Sequence, residues 1–274
     1  MEQAFLLQPL PNLDEGSIAM YSAERRQAIR KLVEANARVS VAELAEQFGV
    51  SRASIRRDLN FLHESGLLQR TYGGALGANG VADEAPFTER RVSHLAEKGR
   101  IGRAAAQLVQ PGETIFVDGG TTTECMAPFL GERSHITVVT YGLNIVNRLA
   151  QYDPITLIVI GGTLHAASQT FGGVLAINNM QAYDMHFDKA FIAAGGVSAD
   201  AGVTNADLEQ IPVKRRAVEA AREVILLADS SKLGAVRTAL IAPAHKVHQL
   251  ITDAGAPVDE VKALQALGMA VQLV

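Results

Sequence analysis

Two spacings of apolar residues divide this chain. In the first part the period is helical: Ala28, Ile29, Leu32 and Val33 predict a helix over Ala23–Ala35. Val41–Phe48 predicts a second, opened by Ser40 and Glu43 as an S-x-x-E capping box. A third starts at Ser51, whose hydroxyl can accept an orphan amide, and Ile55, Leu59 and Leu62 form its apolar stripe at i, i+4 and i+7. Gly66 is placed to end it. Gly49-Val50-Ser51 joins the last two helices, which is the length and chemistry of a helix-turn-helix turn. Leu67–Ala75, LLQRTYGGA, reads as a small hairpin carrying Arg70 and Tyr72, so the whole predicts a winged helix-turn-helix.

From Glu113 onward the pattern becomes short apolar strands separated by helical stretches. The predicted strands are Thr114–Asp118, Ile136–Thr140, Ile155–Gly161, Ala190–Gly195, Val224–Asp229, Thr238–Ala242, Val247–Asp253 and Met269–Leu273. Runs of Val and Ile without strict alternation imply strands buried on both faces, hence an α/β domain with a largely parallel sheet. Between the two regions, Leu76–Pro86 (LGANGVADEAP) has linker composition, and Phe87–Val109 reads as one helix stopped by Pro111-Gly112. Residues 1–20, with Glu2, two prolines and Asp14-Glu15, lack the basic start and apolar core of a secretory signal. They are either a flexible leader or residues upstream of a start at Met20. The expected division is 1–20, a DNA-binding domain over 21–76, a linker over 77–92 and a ligand-binding domain over 93–274.

Charge sharpens this division. Residues 21–75 hold nine Lys/Arg against six Asp/Glu, whereas the 274-residue chain carries a net −4. On the predicted third helix Arg52, Arg56 and Arg57 point away from the apolar stripe. An arginine-rich face alone is often only a solvated surface. Here it coincides with a capped first helix, a tight turn and a locally basic module on an acidic protein, the footprint of a phosphate-backbone binder. The expected DNA contacts are Ser51, Arg52, Ser54, Arg56, Arg57, Arg70 and Tyr72. One cysteine, Cys125, excludes a disulfide framework within the chain and fits a reducing cytoplasm. The longest apolar runs are too short to span a bilayer. His245 and His248 are read as strand-edge residues rather than metal ligands.

The chemistry of the second region gathers where strands end. Asp118 runs into Gly119-Gly120-Thr121-Thr122-Thr123, and glycines, hydroxyls and a following helix start suit an anion. A tight β–α turn would account for that loop by itself. Thr140-Tyr141-Gly142, Gly161-Gly162-Thr163, Gly195-Gly196 and Asp229-Ser230-Ser231-Lys232 repeat the pattern, however, and ligands of parallel sheets bind at the carboxyl ends of strands. Lys214 and Lys232 are the available counter-charges. A phosphate on a small molecule fits.

These residues carry a resemblance. ERRQAIRKLVE, VSVAELAEQFGVSRASIRRDL and LLQRTYGGA resemble the N-terminal module of the DeoR family of bacterial transcriptional regulators. DGGTTTE, VVTYGLN, VIGGTL, VKRRAVEAA and LADSSKLG resemble its sensor domain, so the likeness covers about residues 22–255. It implies a repressor of a carbohydrate-utilisation operon, released by a phosphorylated sugar, acting as a homo-oligomer on double-stranded operator DNA. Carried over by position, Asp118, Gly120, Thr121 and Thr122 form the phosphate loop, with Lys214 and Lys232 lining the pocket. Thr123, Tyr141, Gly162 and Gly196, at the ends of strands of the same sheet, complete the expected effector set. Tyr141 stands where the family more often shows Asn. The sensor fold so implied is similar to that of ribose-phosphate isomerases, which makes an isomerase with an appended DNA-binding module the rival reading. Against it, AAGGVSADAG after the fourth strand has no acid before Asp200, although Asp207 or Glu209 could in principle serve as acid or base. A protein-interaction adaptor, a third class, would leave both the arginine face and the glycine-threonine loop unused. No cofactor is expected and no enzymatic fingerprint appears.

Overall fold

The computed structural model describes residues 22–36, 38–64, 68–71, 74–77, 87–133 and 135–274. It divides into two compact units, residues 1–80 and 81–274. Among the described residues no helix is long and apolar enough to cross a membrane.

The first unit contains α1 (Ser22–Asn36), β1 (Arg38–Ser40), α2 (Val41–Gln47), α3 (Arg52–Glu64), β2 (Leu68–Thr71) and β3 (Gly74–Gly77). Ser40 caps α2 as expected, its hydroxyl accepting the Glu43 amide while the Glu43 carboxylate accepts the Ser40 amide. Ile55, Leu59 and Leu62 are buried against Ile29 and Val33 of α1 and Leu44 of α2, so three apolar stripes close one small core. The wing has a strand the sequence pattern did not predict. Three-residue β1 pairs antiparallel with β3, giving a sheet in the order β1-β3-β2.

The second unit begins with α4 (Phe87–Val92) and α5 (Leu95–Gln107), followed by β4 (Thr114–Val117), α6 (Thr121–Glu124), α7 (Ala127–Leu130), β5 (Ile136–Thr140), α8 (Leu143–Leu149) and β6 (Ile155–Val159). The hairpin β7 (Thr163–His165) and β8 (Thr170–Gly172) leads into α9 (Gly173–Ala182) and β9 (Phe187–Ala193). Then come β10 (Gly196–Ser198), β11 (Gly202–Asn205), α10 (Ile211–Ala220), β12 (Ala221–Leu227), β13 (Ala239–Ala242), β14 (Gln249–Thr252), α11 (Val258–Ala266) and β15 (Ala270–Leu273).

Seven strands form one wholly parallel sheet in the order β15-β14-β12-β9-β4-β5-β6. Both faces of the central strands are covered, which is why they read as continuous apolar runs. Phe116, Ile192 and Leu226 pack on the side of α9, α10 and α11. Ile115, Phe191 and Ile225 pack on the side of α5, α7 and α8. From β4 the chain builds outward through β5 to β6, then returns to lay β9 on the opposite side of β4. The order therefore reverses between β4 and β9, and the crevice outside the carboxyl ends of those strands is where such sheets bind ligands.

Three expectations need correction. Phe87–Val109 is not one helix: His94 sits at φ 52°, breaking it into α4 and α5. Residues 87–92 are not linker, because α4 is part of the second unit, with Phe87 buried and Arg91 paired to Glu124 at 3.1 Å. The expected strand Thr238–Ala242 is real as β13 but lies outside the parallel sheet, pairing antiparallel with β11. His245 falls in a 3-10 turn, and His248 accepts the Val224 amide through Nδ1 at 3.0 Å.

Candidate functional site

The α3 face is built from its first turn. The Ser51 hydroxyl accepts the Ser54 amide at 3.1 Å and lies 3.0 Å from the Ser54 hydroxyl, which in turn accepts Arg57 Nη2 at 3.4 Å. Arg52, Arg56 and Arg57 are exposed and form no ion pair among the described residues. The one carboxylate between Arg52 and Leu62, Asp58, is turned inward and only 2% exposed. Arg25 and Arg26 of α1 bind its two oxygens at 2.6 and 2.9 Å. The acid that would have cancelled the arginine face is thus neutralised from behind, and between Arg52 and Leu62 no other carboxylate opposes the exposed arginines. Arg70 lies on β2. Tyr72 and Gly66 lie outside the described residues.

In the second unit a cleft opens at the carboxyl ends of β4, β9 and β12, the central neighbours of the sheet. It is lined by Gly119, Gly120, Thr121 and Thr122 after β4, by Ala193 and Ala194 at the end of β9, and by Lys232 after β12. Lys214 reaches it from α10. Gly120 precedes α6, and a Cβ there would sit 2.3 Å from that of Ala193, so only glycine lets this loop pass so close to β9. First-turn amides of a helix have no intrahelical acceptor. Those of Thr121 and Thr122 have no acceptor within α6, and both residues line the cleft. Asp229 caps the turn carrying Lys232, its Oδ1 accepting the Ser231 amide at 3.2 Å.

Five expected residues stand behind this surface instead of on it. Asp118 is fully buried: Oδ2 accepts Lys214 Nζ at 2.8 Å and the Ala193 amide at 2.7 Å, and Oδ1 accepts the Tyr141 hydroxyl at 2.6 Å. Tyr141 is buried too, its ring stacked on Phe116, so its hydroxyl orders Asp118 and Gln210. Thr123 donates to the Asp118 and Gly120 carbonyls and locks the loop from within. Gly162 and Gly196 are packing positions. A Cβ on either would lie 2.4 Å from the Gly172 carbonyl oxygen or 2.3 Å from that of Ala235.

The Asp118–Lys214 pair alters the electrostatics expected of the cleft, because the lysine already has its anion inside the protein. Removing one member of a buried pair leaves the other charge uncompensated, at a cost of about 3–5 kcal/mol. Asp118→Asn and Lys214→Met are each expected to lose that much in urea unfolding of the full chain, and the double variant less than their sum. Single variants as stable as the unmodified protein would contradict a structural role for the pair.

Other lining residues were not anticipated: Arg90, Lys98, Ser168, Asn205 and Gln210. Lys98 is 3% exposed and donates to the carbonyls of Arg90 and Ser93 (2.8 Å to the latter), with no carboxylate in ion-pair contact among the described residues. Burial pushes its pKa below the ordinary lysine value, while the charge of Asp229 opposes that shift. An anion in the cleft would favour the charged form. Lys98 shares a helical stripe with Ile101 and Ala105, and a lysine in register with buried apolar positions is the signal by which it could have been found. Cys125, half-buried beside Glu124, has its thiol pKa raised by burial and by that carboxylate.

Two family descriptions match the chain. Residues 93–254 match the DeoR C terminal sensor domain and residues 25–79 the DeoR-like helix-turn-helix domain. The HTH-type transcriptional regulator IolR of Bacillus subtilis (strain 168) is 33% identical over 228 residues, 83% of this chain and 90% of that protein. The glycerol-3-phosphate regulon repressor of Escherichia coli (strain K12) is 32% identical over 246 residues, 89% of this chain and 96% of the repressor. Among solved structures, ribose 5-phosphate isomerase A from Methanocaldococcus jannaschii is similar at a TM-score of 0.38 and 19% identity, covering 51% of this chain and 55% of that one. That likeness says nothing about activity.

Proposed function

Because this chain belongs to the DeoR family of transcriptional regulators, we propose that it binds operator DNA through α3 and releases it when a phosphorylated sugar occupies the cleft of the second unit. It is a DNA-binding transcriptional repressor and not an enzyme: relatives aligned over nearly its whole length are named regulators and repressors. Isomerisation of a sugar needs a carboxylate within reach of the substrate, and among the described residues none lines the cleft. Asp118 is committed to Lys214, and Glu209 is exposed outside the lining.

The observation carrying the effector reading is the composition of the lining. Thr121 and Thr122 line the cleft together with Lys98, Lys232 and Arg90, a donor-rich, cationic set suited to a phosphate, where charge-assisted bonds are the stronger kind. Asn205 and Gln210, hydrogen-bonded to each other at 3.2 Å, add neutral amides to the lining. Lys98 and Arg90 also suggest how occupancy is felt. Lys98 ties down the carbonyls of Arg90 and Ser93 at the end of α4, and α4 is the first described element after the DNA-binding unit in the chain. A phosphate that drew Lys98 and Arg90 toward itself would shift α4, and with it the placement of paired DNA-binding units in a homo-oligomer. The test is a thermal-shift screen of the full chain with sugar phosphates, the parent sugars and inorganic phosphate. At least one sugar phosphate is expected to raise the melting temperature, as any ligand selective for the folded state must, well beyond its unphosphorylated parent. Equal shifts from the parent sugar would overturn the phosphate assignment.

A further inference from the structure

Strand β6 is the last strand of the parallel sheet, and its outer edge is uncovered. Ile158 and Val159 are 39% and 41% exposed there. Exposed edges are normally protected by lysine, proline within the strand, a bulge or a covering helix. β6 reads Ile-Thr-Leu-Ile-Val, pairs with β5 in unbroken register over all five residues, and has none of these. The chain running on from it adds more exposed apolar surface, with Leu164 on β7 and Val174 and Leu175 at the start of α9.

A second observation is independent of exposure. From Pro154 to Tyr183 there is no Asp, Glu, Lys or Arg, in a chain of which a fifth of the residues are charged. About six would be expected in thirty positions. The same unit, residues 81–274, carries twenty Asp/Glu against sixteen Lys/Arg. Two copies approaching by most of its faces would bring a net negative surface against itself. In a two-fold symmetric contact each residue meets the same patch on the other subunit, so like charges oppose like. A patch without charge escapes that penalty. It offers nothing to DNA, which needs cations, and no counter-charge to the basic α3 face.

We propose that β6, the β7–β8 hairpin and the start of α9 form a self-association surface, and that its occupant is the same surface of a second copy of this chain. Two β6 edges running antiparallel about the two-fold can satisfy each other's open amides and carbonyls, with Leu164, Val174 and Leu175 flanking the seam. The inference rests on the homo-oligomer in the reading above and adds where that oligomer is joined.

Sedimentation velocity of the full chain tests it with three variants: Ile158→Lys on β6, Leu175→Asp on α9, and Val258→Asp on α11 as a control, itself 65% exposed and outside the uncharged stretch. Circular dichroism confirms that each is folded. The unmodified protein and the Val258 variant are expected to sediment as the same oligomer, while the other two each shift to a smaller species at the same concentration. An unmodified protein that is monomeric would overturn both the surface and the homo-oligomer. An oligomer unchanged by Ile158→Lys and by Leu175→Asp would overturn this surface alone and leave the homo-oligomer standing.

Discussion

Replacing Arg56 and Arg57 together with alanine is expected to abolish retention of operator DNA in a gel shift while leaving the fold intact. Both side chains are exposed on α3 and neither holds an ion pair among the described residues, so their loss removes only the exposed 3.4 Å Arg57–Ser54 hydrogen bond from the described polar contacts. A side chain that reads a base edge is worth about 1–3 kcal/mol of discrimination, and one that meets a phosphate weakens all sequences alike. Either way the positive surface left by burying Asp58 loses two of its three arginines. The two roles separate by salt: a phosphate contact lowers the slope of log affinity against log salt by about one, whereas a base contact relaxes specificity at one position. Retention as strong as that of the unmodified protein would remove α3 from the DNA.

How the α3 face is supported shows what a sequence can and cannot reveal. Its stripe, its Ser51 cap and the Ser40–Glu43 capping box are local, within four residues of one another, and each was legible from spacing. The inward turn of Asp58 was not, because its partners on α1 lie 32 and 33 residues away. The same distinction runs through the second unit. β5 falls on the residues its apolar run predicts, Ile136–Thr140, whereas β7, β8 and β10 have three residues each, too few for a period to register. The break at His94 carries no proline or glycine to announce it. In the cleft the glycine-threonine loop and Lys232 were readable as strand-end chemistry. The partnership of Asp118 with Lys214 spans 96 residues and left both looking like ligand contacts. Gly162 and Gly196 show why glycine is ambiguous, since close backbone approach and ligand approach demand the same missing Cβ. Lys98 was hidden by its own helix pattern, a charged residue counted as solvent-facing though it occupies a buried register.

If effector binding is coupled to operator binding, the largest functional effect is expected at Thr121 and Thr122. Both are 6% exposed, open α6 and line the cleft, and valine preserves their shape while removing the hydroxyls. Thr121→Val/Thr122→Val, and separately Lys232→Met, are expected to keep full operator affinity and lose the response to effector. A ligand can shift DNA affinity only as far as it prefers one arrangement over the other. A tenfold loosening is about 1.4 kcal/mol of coupling, and operator must weaken effector binding by the same factor. The most direct measurement is therefore the operator dissociation constant with and without a saturating sugar phosphate that stabilises the protein, for the unmodified chain and for the threonine double variant. At least tenfold weaker operator binding is expected in the unmodified protein and no change in the variant. Release of DNA by the variant at the same effector concentration as the unmodified protein would contradict it.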